Sequence, residues 1–129
     1  QSAPFAKEAA LKLSENAGIT AIGLSPSDAL HGPLAQVTDD VTVVVLGTTD
    51  TTGQCELFAK RVEGMTKRNW RLDSQGFHRG VPTPHTGLDK IPGGLLELVP
   101  MQWLSGELAI RMQLDPDSPR ALSKETLTG

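Results

Sequence analysis

The sequence predicts an α/β fold, a three-layer sandwich with a mainly parallel sheet. Two observations carry this. Val41-Thr-Val-Val-Val-Leu46 is a β-branched run without polar alternation, the signature of a strand buried on both faces. Amphipathic helical patterns stand on either side of it. The length of 129 residues suits one domain and allows a real core.

In chain order, Ser2 is a suitable helix cap and Pro4 suits a first turn. Ala6, Ala10, Leu13 and Ala17 then recur at helical spacing as a small-residue face, and Gly18 is a natural stop. Glu8, Lys12 and Glu15 form one polar stripe on that helix, with Glu before Lys in the favourable order. Ile19 to Leu24 has extended character. Ser25-Pro26-Ser27-Asp28 reads as a capping box whose helix must end near His31, because Gly32 and Pro33 follow. His31 therefore sits at a helix C-terminus, where the imidazolium is favoured. Taken alone, it is a histidine bonding the last carbonyls.

Beyond the buried strand, Thr51 with Gln54 offers another capping box. Cys55, Phe58, Ala59, Val62 and Met65 give the next helix its apolar face. The hydroxyl-rich loop Gly47–Gly53 resembles a phosphate cradle, but Asp50 puts a negative charge there, and plain capping is the better reading. Asn69–Asp73 predicts a strand in which Trp70 and Leu72 alternate against polar neighbours. Residues 74–94 are rich in Gly and Pro and read as irregular, with one short strand near Phe77–Val81. His78 and His85 read as loop residues. Leu95–Leu114 is apolar at helical spacing through Leu96, Val99, Trp103, Leu104, Leu108 and Met112. Pro100 would start that helix on pattern alone. Pro116 and Pro119 predict an extended tail.

Composition narrows the function classes. A net charge of −3 gives no electrostatic case for nucleic acid or an anionic membrane. No apolar run approaches spanning length, and the first residues do not read as a signal peptide. The lone Cys55 excludes an intramolecular disulfide and fits a reducing, cytoplasmic setting. Cys55 and the three histidines show no metal-ligand spacing, so no metal or other cofactor is expected. Gln1 as first residue suggests processing or a larger parent.

Three features together resemble a known family. They are Glu8-x-x-x-Lys12-x-x-Glu15 on the first helix, the His31-Gly32-Pro33 turn, and Pro119-Arg120-x-Leu122-x-Lys124 in the tail. In this order they resemble the second half of the sugar isomerase (SIS) domain. The likeness is to the isomerase part of glucosamine-6-phosphate synthase and related phosphosugar isomerases and deaminases, and it covers nearly the whole chain. It implies residues 1–114 as the second SIS subdomain and 115–129 as a tail carrying an active-site lysine. It would also carry the last helix through Pro100. Family halves open with a strand before the first helix, and that strand is missing from this sequence. So are the half with the phosphate-gripping Ser/Thr loop and the synthase's glutaminase, whose cysteine Cys55 cannot replace.

Moving a carbonyl between C1 and C2 of a sugar phosphate needs a base that shuttles a proton, a group that opens the ring, and a cation at the carbonyl. The resemblance assigns these roles to Glu15, His31 and Lys124, with Glu8, Lys12 and Ser123 as substrate-binding neighbours. It implies that His31 acts in the site of a neighbouring subunit. The expected partner is thus a second copy or a complementary SIS half, and the expected ligand a hexose or amino-sugar phosphate. Ser14 stands where the synthase has a second lysine, which points toward a simpler isomerase or deaminase. The competing readings are a non-catalytic sugar-phosphate-sensing SIS module and an inactive fragment. Retention of Glu15, His31 and Lys124 together favours the enzyme, because a sensor has no need of them.

Overall fold

Val43–Leu46 (β1) and Asn69–Asp73 (β2) pair in parallel, with Val45 opposite Arg71 and Leu46 opposite Leu72. Gly76–His78 (β3) lies antiparallel on the other side of β2, with Leu72 opposite Phe77. The computed structural model describes residues 3–47, 53–73, 76–79 and 90–120, without the side chains of 90–93. Among these residues the sheet order is β1-β2-β3, and the sheet is mixed rather than mainly parallel. Only residues 74 and 75 separate β2 from β3, whereas a parallel crossover needs about a dozen or more.

Helices cover both faces. Ala3–Ala17 (α1) and Lys90–Arg111 (α4) pack together on one side. Their cluster joins Ala9, Leu98 and Met101 to Leu46 and Leu72 of the sheet. On the other side, Gln54–Glu63 (α3) sets Cys55 and Ala59 against Val45. Even-numbered residues of β1 thus face α1 and α4, and odd-numbered ones face α3. The three layers and the doubly buried strand read from the sequence are present.

Local chemistry explains most boundaries. On α1, Ala10 and Ala17 are buried and Ala6 and Leu13 partly so. Gly18 follows with φ 63°, a conformation that stops a helix at little cost to glycine. Gly23 lies so close to α1 that a Cβ there would strike the backbone of Ala6 and Lys7. Pro26–Leu30 (α2) is capped by Ser25, whose hydroxyl accepts from the Asp28 amide at 3.0 Å. A short 3₁₀ turn, Pro33–Gln36, follows. α4 runs through Pro100, as the family likeness implied and the pattern alone did not.

Five expectations are corrected. The N-cap of α3 is Gly53 in a left-handed conformation, not Thr51, and it offers no side-chain cap. α3 ends at Glu63, so Met65 lies beyond it. On β2, Trp70 is exposed while Asn69, Arg71 and Asp73 are buried, because α3 covers that face and β2 is central. On α4, Leu96, Val99, Trp103 and Met112 are exposed, while Glu97, Leu98, Met101, Ser105 and Ala109 face the core. A helix apolar on most sides does not reveal which side is buried. Beyond α4 the chain turns over Asp115–Ser118 instead of running extended, since Asp115 accepts from the Asp117 amide through Oδ1 at 3.0 Å and from the Ser118 amide through its carbonyl at 3.2 Å. The loop around Asp50 and Thr51, His85, Val81, and the Ser2 cap lie outside the described residues.

Candidate functional site

The polar stripe of α1 is an ion-pair chain. Lys12 Nζ lies 2.8 Å from Glu15 Oε2 and 3.8 Å from Glu8 Oε1. The hydrogen bond to Glu15, helped by the charge of both carboxylates, holds the Lys12 pKa above its ordinary value against the opposing effect of burial. The Glu15 side chain is 29% exposed, so it is partly withdrawn from water yet open on one side. Ser14 does not extend this stripe. Its Oγ lies 3.0 Å from the carbonyl oxygens of both Ala10 and Ile19, tying the helix end to the segment beyond.

The last turn of α1 is pinned to α4. Asn16 Nδ2 donates to Ser105 Oγ at 2.9 Å, and Ser105 donates to the Gln102 carbonyl at 2.7 Å. Ser105 is fully buried, so the position of the Glu15 turn is fixed against a rigid helix. Leu114 then donates its amide to the Ala109 carbonyl, closing α4 and directing the tail back toward α1.

A hollow of about 240 Å³ lies where the two meet. The end of α1 lines it with Ser14, Glu15, Asn16 and Gly18. The tail root lines it with Gln113, Leu114, Asp115, Ser118, Pro119 and Arg120. One carboxylate from each side and one guanidinium therefore border a single recess whose wall is otherwise largely apolar. Such a recess can bind a hydroxylated small molecule and place Glu15 beside it.

Of the residues singled out in the sequence, Glu8, Lys12 and Glu15 come together. His31 is the C-cap of α2, its amide donating to the Asp28 carbonyl at 3.2 Å. It is exposed and does not line the hollow. Ser123 and Lys124 lie outside the described residues. Asn16, Gln113, Asp115 and Ser118 were not singled out. The Asp115-Pro-Asp-Ser signal of a turn was available in the sequence and would have folded the tail back.

A second polar group lies under α3. Arg71 is fully buried, with its Nη2 3.7 Å from Glu63 Oε1. Nη1 donates to the Trp70 carbonyl, while Nε and Nη2 make no hydrogen bond among the described residues. Burial lowers the Arg71 pKa, with Glu63 opposing. Nearby, His78 Nε2 lies 2.8 Å from Asp73 Oδ2. Among the described residues, no group of three or more His, Cys, Asp or Glu could hold a metal ion, and no helix is long and apolar enough to cross a membrane.

No protein-family model matches the chain. Curated relatives do. The glutamine–fructose-6-phosphate aminotransferase (isomerizing) of Thermococcus kodakarensis is 33% identical over 132 aligned residues, covering 95% of this chain and 21% of that protein. The enzyme of the same name from Pyrococcus horikoshii is 35% identical, over 94% of this chain and 21% of that protein. That of Aquifex aeolicus is 31% identical over 94% of this chain. The chain thus spans about a fifth of the length of these relatives. Among solved structures, glucosamine-6-phosphate deaminase from Thermotoga maritima superposes with a TM-score of 0.74 at 24% identity, over 95% of this chain and 36% of that one. At that identity the superposition speaks for the fold.

Proposed function

We propose that this chain, a homologue of one segment of the isomerizing glutamine–fructose-6-phosphate aminotransferases, carries the proton-shuttling part of a sugar-phosphate isomerase site. The ligand is a hexose or amino-sugar phosphate, and the reaction an aldose–ketose interconversion. It serves a synthase, a simple isomerase or a deaminase. Residues 1–114 act as the subdomain and 115–129 as the tail. Another SIS half or a neighbouring subunit completes the site in a cytoplasmic enzyme.

The observation that supports this reading most is the shared hollow. It sets Glu15 of α1 against the root of the tail that leads to Ser123 and Lys124. Glu15 takes the proton from one carbon and returns it to the next, which a half-withdrawn carboxylate does well. Lys124 polarises the carbonyl or forms a Schiff base with it. Lys12 fixes the Glu15 carboxylate, and Glu8 and Ser123 contribute to binding. His31, exposed and away from this hollow, opens the ring in a neighbouring subunit's site.

The test is Glu15→Gln in the complete assembly, with isomerisation of fructose 6-phosphate followed beside a thermal melt. The amide keeps the shape and removes the base. A loss of about a hundredfold to ten-thousandfold in rate is expected for one general base. Unchanged turnover with ligand binding intact would remove Glu15 from the mechanism and leave the sensor reading.

A further inference from the structure

Gln113 ends α4 in a conformation that glycine would adopt without strain. Its φ is 59°, and among the described residues it is the one non-glycine residue with positive φ. The Leu114 amide donates to the Ala109 carbonyl at 2.9 Å, and the Gln113 amide to the Ile110 carbonyl at 3.0 Å. This pair of bonds is a Schellman closure, whose left-handed position is usually glycine. The other residues that enter this region are enriched in Asn, Asp and His. Gln113 is none of these, and the closure uses only its backbone. Among the described residues, no hydrogen bond to its carboxamide accounts for its presence there.

Gln113 borders the same hollow as Glu15. Other polar groups of that wall are already engaged. Asn16 gives its Nδ2 to Ser105, and Ser14 Oγ is held by the carbonyls of Ala10 and Ile19. Glu15 and Asp115 as carboxylates only accept, and the Arg120 guanidinium only donates. The Gln113 carboxamide is neutral, with a donor and an acceptor side by side. A sugar hydroxyl has the same pair of functions and matches it. On the sugar-phosphate reading of the hollow, on which this rests, we infer that Gln113 is a substrate-binding residue. Its carboxamide takes one hydroxyl of the open-chain sugar while Glu15 serves the reacting carbons. Residues held in a strained backbone conformation cluster at ligand sites. Here glycine would relax the end of α4 and leave that hydroxyl without a partner.

Calorimetry with glucitol 6-phosphate, an open-chain ligand with no carbonyl to isomerise, reads binding apart from turnover. In the complete assembly, Gln113→Ala removes the carboxamide and keeps the strained backbone, while Gln113→Gly removes both. Each variant should bind roughly three- to tenfold more weakly, the range for one neutral hydrogen bond. Gln113→Gly should also melt higher, by about 2–4 °C, so a folding defect cannot explain its weaker binding. Against a set of glucitol 6-phosphates each lacking one hydroxyl, the penalty of Gln113→Ala should vanish for a single member. Equal affinity in Gln113→Ala and wild type, or a penalty unchanged across the whole set, would overturn the proposal. So would weakening confined to Gln113→Gly, which would trace the effect to a looser backbone, or a lower melt in that variant, which would show that the side chain serves the helix end. Unchanged turnover in Glu15→Gln would remove the proton shuttle and leave these binding results standing. Absence of binding by the wild-type assembly would overturn this proposal together with the sugar-phosphate reading.

Discussion

Asp73 Oδ2 and His78 Nε2 lie 2.8 Å apart across the β2–β3 pair, joining a carboxylate of zero exposure to a histidine that is 28% exposed. The other ring nitrogen, Nδ1, lies 3.1 Å from the Arg79 carbonyl oxygen. Both nitrogens face acceptors, an arrangement that suits the doubly protonated ring. The Asp73 hydrogen bond first, and the Arg79 carbonyl second, raise the His78 pKa above 6.5. A group whose pKa is higher folded than unfolded stabilises the fold below its unfolded pKa, and that contribution is lost as pH rises through the folded value. The melting temperature should therefore fall between mildly acidic and mildly alkaline pH. His78→Gln should flatten that slope by roughly 1 kcal/mol in stability. Melts across this range on both proteins check it, and an equal slope in the variant would refute the assignment.

Arg71 gives a prediction of opposite sign. Its guanidinium is wholly buried, and its Nε and Nη2 make no hydrogen bond among the described residues. Replacing a buried ion pair by apolar side chains is commonly neutral or stabilising, by about 1–4 kcal/mol, and here the remaining partner, Glu63, is half exposed and is solvated once Arg71 is gone. Arg71→Met should leave the denaturation midpoint unchanged or raise it. A fall of several kcal/mol would refute this and mean that the Glu63 ion pair and the Trp70 carbonyl bond outweigh the cost of burying the guanidinium.

Gly23 should tolerate no side chain. A Cβ would meet the carbonyl of Ala6 and the amide of Lys7, both backbone and unable to swing aside. Gly23→Ala should cost about 1–3 kcal/mol, the usual range for overpacking. Because the strain falls on α1, the sugar-phosphate binding proposed for the Glu15 hollow should weaken too. Urea unfolding and calorimetry with fructose 6-phosphate measure the two effects.

Asn16→Ala tests the clamp between α1 and α4. Ser105 keeps its bond to the Gln102 carbonyl, so the loss should be modest, about 1 kcal/mol. If the clamp sets the Glu15 turn, the rate should fall more than this stability change implies.

The sequence made the layers legible because β1 is apolar throughout and α1 is marked by alanines and a terminal glycine. The short capped helix ending at His31 was equally plain, since Ser25, Pro26 and Gly32 each act locally. β2 and α4 were harder for one reason. Burial of Arg71 and Asp73, and exposure of Trp103, depend on which neighbours cover each face, which hydrophobicity alone does not encode. The site divides in the same way. Glu8, Lys12 and Glu15 share a stripe by spacing alone. The contribution of the tail root required a turn built by Asp115, and the separation of His31 from Glu15 is a tertiary fact.

β1 acts as a partition between two cores of unequal size. Among the described residues, five buried apolar side chains cluster on the α1–α4 side and three on the α3 side, where the buried neighbours Asn69, Arg71 and Asp73 of β2 are polar. A domain divided in this way should not open all at once. In native-state hydrogen exchange the amides of α3 should become labile first, while those of α1 and α4 stay protected until global unfolding. The helix ends around the Glu15 hollow would then outlast the opposite wall, and excursions of α3 would leave the recess intact.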